Sequence, residues 1–321
     1  MPDLSVGGQA VIEGVMMRSK DRVATAVRIP SGEIMVKTED YISLSKRHKI
    51  LNIPILRGVV TFFEMMVLGI KTLNISADIA FKEMEKEEAA VKGEEYKPEE
   101  KKSNNLVLAG TVIFALAVGI LMFFFLPLAI ASLLHVDKDA LAFNLIAGGF
   151  RVMIFIAYVW VISQFGEFKR VFQYHGAEHK SIYAYENGED LTTDNVGKYT
   201  TLHPRCGTSF ILIVVLIAIL IYAIADTIFA VVTGAPPTLL ERFGVHFSLL
   251  PLVAGGSYEL LKLSGKTRDN RLTRLLIKPG LWLQKITTKE PSPDQMEVAI
   301  VALEAALGMS ETHLTVKRTC L

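Results

Sequence analysis

Three uncharged or nearly uncharged runs of membrane-spanning length, roughly 106–134, 141–165 and 209–233, constrain this chain more than any other feature. A weaker fourth run lies at 245–263. About 20 consecutive apolar residues cross the hydrocarbon core of a bilayer as a helix. In lipid only helices and closed barrels satisfy every backbone N–H and C=O. The expected fold is therefore mainly α: a polytopic membrane helical bundle of about four transmembrane helices plus interfacial helices, with a small N-terminal β-rich cytoplasmic piece. A mean hydropathy of +0.37 agrees with this. The net charge of +1 supplies no broad field for a polyanion, so no specific nucleic-acid binding is expected. Two cysteines, Cys206 and Cys320, make no disulfide framework. The opening stretch MPDLSVGGQAVIEG has no basic region followed by an apolar core. No cleaved signal peptide is expected, and the first span would act as the insertion signal.

Around the spans the chain divides into segments. Residues 1–45 hold short β-branched runs separated by the turn signal Pro30-Ser31-Gly32, and Gly7-Gly8 implies a turn or a close approach. Residues 46–81 read as an amphipathic or membrane-associated helix. There Arg57, Glu64, Lys71 and Asp78 recur every seven residues, about two helical turns, so they share one narrow stripe. The stripe is either solvated charge or an interhelical ion-pair seam. A free span with four charges would be costly, so this helix is expected at the membrane surface or against the bundle. Residues 82–103, rich in Glu and Lys, form a charged linker. Residues 104–265 are the four-span domain, with a polar cytoplasmic segment at 166–208. Residues 266–321 hold a basic juxtamembrane region and a C-terminal amphipathic helix. That helix is signalled by Ser292 as N-cap, Pro293 at N1, Gln295 at N3 and Gly308 as the stop, and 310–321 is expected to fray.

Basic residues set the orientation. The loop between the second and third spans carries Lys169, Arg170, Lys180, Lys198 and Arg205, and a basic cluster follows the fourth. The loops after the first and third hold only Lys138 and Arg242. Both termini and the 166–208 segment are expected on the cytoplasmic side of a multi-pass membrane protein. Within the spans, Arg151 is the notable charge, and Asp226 is its expected partner.

The 166–208 segment carries the chemistry. His175-Gly176-Ala177-Glu178-His179 is H-x-x-E-H, the inverted form of the zincin motif. On a helix the two imidazoles lie one turn apart on one face, able to share a divalent metal, most plausibly Zn²⁺, with Glu178 as general base. A catalytic zinc takes three protein ligands and leaves one position for water. His203 is the natural third ligand, Cys206 the runner-up, and Glu259, at about the same membrane level, a further option. His203-Pro204-Arg205-Cys206-Gly207-Thr208-Ser209 leads into the third span. The helix N-terminus and the Arg205 guanidinium there would stabilise an anion and would make Cys206 more acidic. The plainer alternative is an N-cap at Thr208 or Ser209 beside an interfacial arginine.

Three blocks in order, Gly7-Gly8-Gln9-Ala10-Val11-Ile12-Glu13-Gly14-Val15-Met16-Met17-Arg18, Tyr174-His175-Gly176-Ala177-Glu178-His179-Lys180 and Leu202-His203-Pro204-Arg205-Cys206-Gly207-Thr208-Ser209, resemble the bacterial YqhQ-like family. Ser257-Tyr258-Glu259 and the 294–299 segment also fit. The resemblance covers nearly the whole chain. It implies an integral membrane protein of unknown function, labelled a predicted metal-dependent enzyme, with no substrate to carry over. In the first block, Glu13 and Arg18 flank Gly14 on a strand that could close over the metal site.

Two functions follow. One is a membrane-embedded, metal-dependent hydrolase acting on a membrane-associated peptide or lipid headgroup, with Glu178 as base and Arg205 steadying negative charge. The other is a non-catalytic scaffold or assembly factor for membrane-protein insertion or envelope biogenesis. Expected partners are membrane lipids, with either a membrane-protein partner or a second copy of the chain.

Overall fold

A computed structural model describes residues 6–93, 105–135, 140–204, 206–266, 271–309 and 318–320. It opens with four strands, β1 (Gly7–Val11), β2 (Gly14–Arg18), β3 (Arg22–Arg28) and β4 (Ile34–Asp40). Each pairs antiparallel with its successor, Val11 facing Gly14 across the Ile12–Glu13 turn. Helices follow: α1 (Leu44–Arg47), α2 (Leu56–Lys92), α3 (Asn105–Ile120), a π-helical turn at Leu121–Phe125 and α4 (Leu126–Leu133). Then come α5 (Ala140–Ile162), α6 (Gly166–Glu186), α7 (Thr193–Gly197), α8 (Gly207–Thr233) and α9 (Leu239–Ser248). The last helices are α10 (Leu250–Lys266), α11 (Arg271–Thr287) and α12 (Pro293–Leu307). A final strand, β5 (Arg318–Cys320), pairs in parallel with β4, so part of the tail expected to fray joins the sheet. Residues 310–317 lie outside the described residues.

Strand periodicity builds the first half of the molecule. Successive side chains of β2 and β3 point to opposite faces. Val15, Met17, Ala24 and Ala26 enter one core with Tyr174 and Ala177 of α6 and Val298 to Leu303 of α12. Met16 and Val23 pack on Leu68 of α2 from the other face, and Val27 packs on Ile79. The β-rich piece is thus the middle layer between α2 and the α6–α12 pair.

The caps of α12 are formed as its sequence signals: Ser292 and Gln295 make a reciprocal capping box, Pro293 is at the start and Gly308 ends the helix with φ +68°. It does not present the one-sided face expected of an amphipathic surface helix. Val298, Ala299, Ile300, Val301, Ala302 and Leu303 are all buried, because the sheet, α6 and α7 enclose it. The alanines are what allow that close packing.

Among the described residues, four helices are long and apolar enough to cross a membrane: Leu56–Glu83, Gly110–Leu133, Leu141–Ile162 and Phe210–Thr233. The last three match expected spans. The fourth expected span, 245–263, does not form one helix. The chain breaks at Leu249 between α9 and α10, and α10 alone spans only about 26 Å.

The remaining candidate, α2, lies along the sheet, and its charged stripe shows how it is held there. Arg57 makes a bidentate pair with Glu259 of α10. Glu64 accepts from the Ser43 hydroxyl at 2.7 Å and the Leu44 amide at 2.6 Å, and Lys71 pairs with Glu39 of β4. Asp78 is exposed. Three of the four charges therefore form a tertiary seam. The helix also runs unbroken to Lys92, through the first half of the segment read as a linker; residues 94–104 lie outside the described residues.

Arg151 and Asp226 do not pair. Asp226 is held by Arg242 at 2.5 Å, His246 at 2.9 Å and the Asn144 amide at 2.8 Å. Helix α9 folds back on the end of α8 and satisfies this carboxylate locally, leaving Arg151 on the opposite side of Tyr222. Of the basic cluster, Lys262 and Lys278 are exposed, Arg268 lies outside the described residues, and so do the side chains of Lys266, Arg271 and Arg274.

Candidate metal centre

The H-x-x-E-H string lies in the middle of α6, which has no proline and a single interior glycine, Gly176. Glycine costs helix stability, and its reason here is contact. A Cβ on Gly176 would stand 2.1 Å from the Lys289 carbonyl oxygen. The bare backbone lets the connector between α11 and α12 lie directly on α6, where the Lys289 amide donates to the Phe172 carbonyl at 2.8 Å. Lys180, buried on the same helix, pairs with Glu290 and donates to the Gly197 carbonyl, fixing the connector from its other side.

That contact orients the histidines. The Nδ1–H of His175 donates to the Thr287 carbonyl at the end of α11, at 2.8 Å. The Nδ1–H of His179 donates to the Thr201 carbonyl at 2.5 Å. Because a carbonyl only accepts, both rings are assigned the tautomer with the proton on Nδ1 and a lone pair on Nε2. This is how metal-binding histidines are held: one nitrogen tied to an oxygen, the other free to ligate. The rings are 4.4 Å apart between centroids. Cys206, immediately before α8, brings its Sγ to 3.1 Å from His175 Nε2. The ligand atoms of His175, His179 and Cys206 all lie within 4.8 Å of one another. Nε2 of His179 is buried with no hydrogen-bond partner among the described residues. Two neutral imidazoles and a thiol fit a borderline-soft divalent cation such as Zn²⁺.

Glu178 faces the same centre from under the sheet. Its carboxyl accepts from the Gly8 amide, and a Cβ on Gly8 would come within 3.0 Å of the carboxyl carbon. The Gly7-Gly8 pair thus marks a close approach of strand to helix. Burial pushes the Glu178 pKa up to about 8, opposed by the nearby His175. Burial also holds the His179 imidazole below its ordinary range, favouring the neutral form that a metal needs. His179 and Cys206 are buried, whereas His175 is partly exposed and gives the centre an edge toward solvent.

The other sequence candidates are placed differently. His203 is buried, but its backbone is locked to Gln284 of α11, donating to the amide oxygen at 2.7 Å and accepting from the amide nitrogen at 2.8 Å. Its ring lies beside Tyr183, with Nε2 3.5 Å from Glu186. It flanks the cluster and is not in it. Glu259 is engaged by Arg57 at the junction of α2 and α10. Arg205 lies outside the described residues, as do the side chains of Thr208 and Ser209. Glu13 and Arg18 do not close over the centre: Glu13 binds Arg170, and the Arg18 guanidinium sits over the Tyr41 ring. Gly8, their neighbour in the same block, makes that approach instead.

Sequence reasoning missed Thr201, Gln284 and Thr287. Two act through backbone carbonyls, which leave no mark in a sequence. Gln284, fully buried on α11, was detectable only as a polar residue between Leu283 and Ile286.

Residues 53–309 match the family model described as protein of unknown function (DUF1385). The chain is 35% identical over 317 residues to the uncharacterized protein YqhQ of Bacillus subtilis (strain 168), covering 94% of this chain and 92% of that one. No solved structure matches.

Proposed function

We propose, from the premise that the chain belongs to the DUF1385 family of unknown function, that it is a membrane-anchored metalloprotein and metal-dependent hydrolase. Its substrate is a membrane-associated peptide or lipid headgroup approached from the cytoplasmic face. The observation that carries this reading is the convergence of two histidine Nε2 lone pairs, each fixed by an Nδ1–H to carbonyl bond, on one cysteine sulfur. His175, His179 and Cys206 would hold the cation. When bound, the ion supplies a fixed positive charge that polarises a carbonyl or phosphoryl oxygen. Glu178 would take a proton from an attacking water, and the partly exposed His175 would face the arriving substrate. Cys206 directly precedes α8, whose Phe210–Thr233 stretch is a candidate span, which supports a centre close to the membrane surface. The cytoplasmic placement of this segment and of both termini rests on the distribution of lysine and arginine between loops.

One observation favours the scaffold reading. Glu178 is fully buried beneath β1, so it could serve as a fourth ligand and close the site. A closed His₂CysGlu centre would clamp α6, α8 and the sheet as a structural staple. Cobalt substitution separates the two. A visible spectrum that shifts when azide is added marks an open coordination position and supports the hydrolase. An azide-insensitive tetrahedral spectrum, changed by Glu178→Gln, supports the staple and removes Glu178 from the base role.

A further inference from the structure

Proline at 127 in the run Phe123-Phe124-Phe125-Leu126-Pro127 decides the local structure of the first membrane helix. Proline has no N–H, so the Phe123 carbonyl four residues earlier loses its regular helical donor. The helix responds with the π-turn at Leu121–Phe125. Arg151, midway along α5, donates from Nε to that carbonyl at 3.1 Å. This uses one edge of the guanidinium. Nη2 is buried with no hydrogen-bond partner among the described residues, and the whole side chain is 9% exposed. The aromatic rings of Phe124 and Tyr222 stand 5.5 and 5.7 Å from its central carbon. The carboxylate that could have neutralised it, Asp226, is already shared by Arg242, His246 and Asn144.

The guanidinium lines a cavity of about 340 Å³ between α3, α8 and α10, otherwise walled by apolar side chains and Tyr222. Leu116 and Ile120, which line it from α3, are exposed, and α3 belongs to a candidate span, so a bilayer would supply what enters from that side. A positive charge in such a place requires a counter-charge. We propose that the cavity binds an acidic amphiphile from the bilayer, its oxyanion on Arg151 and one acyl chain along Gly119, Ala218 and Val253. The oxyanion can come from a free fatty acid or from the phosphate of a phospholipid, with one chain in the cavity.

The full chain, purified in a nonionic detergent, is analysed by native mass spectrometry, first as isolated and then with added deuterated dodecanoate or dodecanol. The wild type should form a one-to-one dodecanoate adduct and at least tenfold less dodecanol adduct. Arg151→Gln should lose the adduct at least tenfold. Gly119→Leu should lose it equally with the charge intact, because a Cβ at Gly119 has nothing within 4 Å and the new side chain would fill the cavity. Met153→Ala, an exposed position on the same helix as Arg151, should change nothing. Mass analysis of co-purified lipid separates the sources. A fatty acid or a phospholipid that is lost in both cavity variants supports the proposal and names the source. Absence of any dodecanoate adduct, dodecanol binding equal to dodecanoate, or unchanged binding in Arg151→Gln would overturn it.

Discussion

Replacing Glu178 by Gln should stabilise the metal-free protein at alkaline pH, by an amount that follows from where β1 lies. The carboxyl is sealed under Gly8, and its pKa rises from 4.5 to about 8. A raised carboxyl pKa means that the folded state binds the proton more tightly than the unfolded state. Its stabilising effect is complete below the unfolded value and is lost as pH climbs toward the folded one. The full interval corresponds to about 5 kcal/mol, an upper bound because water penetration and relaxation shrink it. Between pH 6 and 9 the predicted loss is about 2.5 kcal/mol. The Gln variant removes the titration while keeping a group that accepts from the Gly8 amide. The assay is denaturant unfolding of chelator-treated protein in detergent at both pH values, with infrared detection of the protonated carboxyl. Wild type should lose stability with rising pH and lose a carboxylic C=O band near its folded pKa; the variant should show neither effect. Parallel pH dependence in the two proteins, or a carboxyl band absent at pH 6, would refute the burial of Glu178.

Gly176→Ala forces a Cβ to 2.1 Å from the Lys289 carbonyl, so the connector must move. Overpacking of this kind costs about 1–3 kcal/mol, and because the Thr287 carbonyl moves too, metal affinity should fall, as a competitive chelator titration would show. Asp226→Asn leaves Arg242 and His246 buried without their counter-charge and should cost about 3–5 kcal/mol in unfolding experiments, with metal content unchanged. Glu259→Gln weakens only the junction with Arg57, so it should leave metal content at the wild-type level by elemental analysis.

Hydropathy made three of the spans legible, because a long apolar run has few alternatives. At the fourth it ran across a break. The 245–263 run averages as apolar, yet its capped predecessor α9 turns back at Leu249 to deliver Arg242 and His246 to Asp226. How the charges of α2 are accommodated was not legible, because their partners Glu39, Ser43 and Glu259 are distant in sequence and cannot be read from spacing. The α12 caps were readable because capping is local. Its burial on every side was not, since that depends on the sheet and two other helices meeting around it. At the centre, helical spacing put His175 and His179 on one face. That Cys206 rather than His203 joins their cluster was not legible, and neither was Gln284, which holds the His203 backbone from a helix some eighty residues away in sequence.

Metal content per chain tests the central claim most directly. Protein purified without chelators, or reloaded with Zn²⁺ and desalted, should carry one stoichiometric ion by elemental mass spectrometry. His175→Ala, His179→Ala and Cys206→Ser should each lose most of it, while His203→Ala and Glu259→Gln retain it. A wild type that takes up no ion, or a Cys206→Ser variant that binds as well as wild type while His203→Ala does not, would contradict the His175–His179–Cys206 centre.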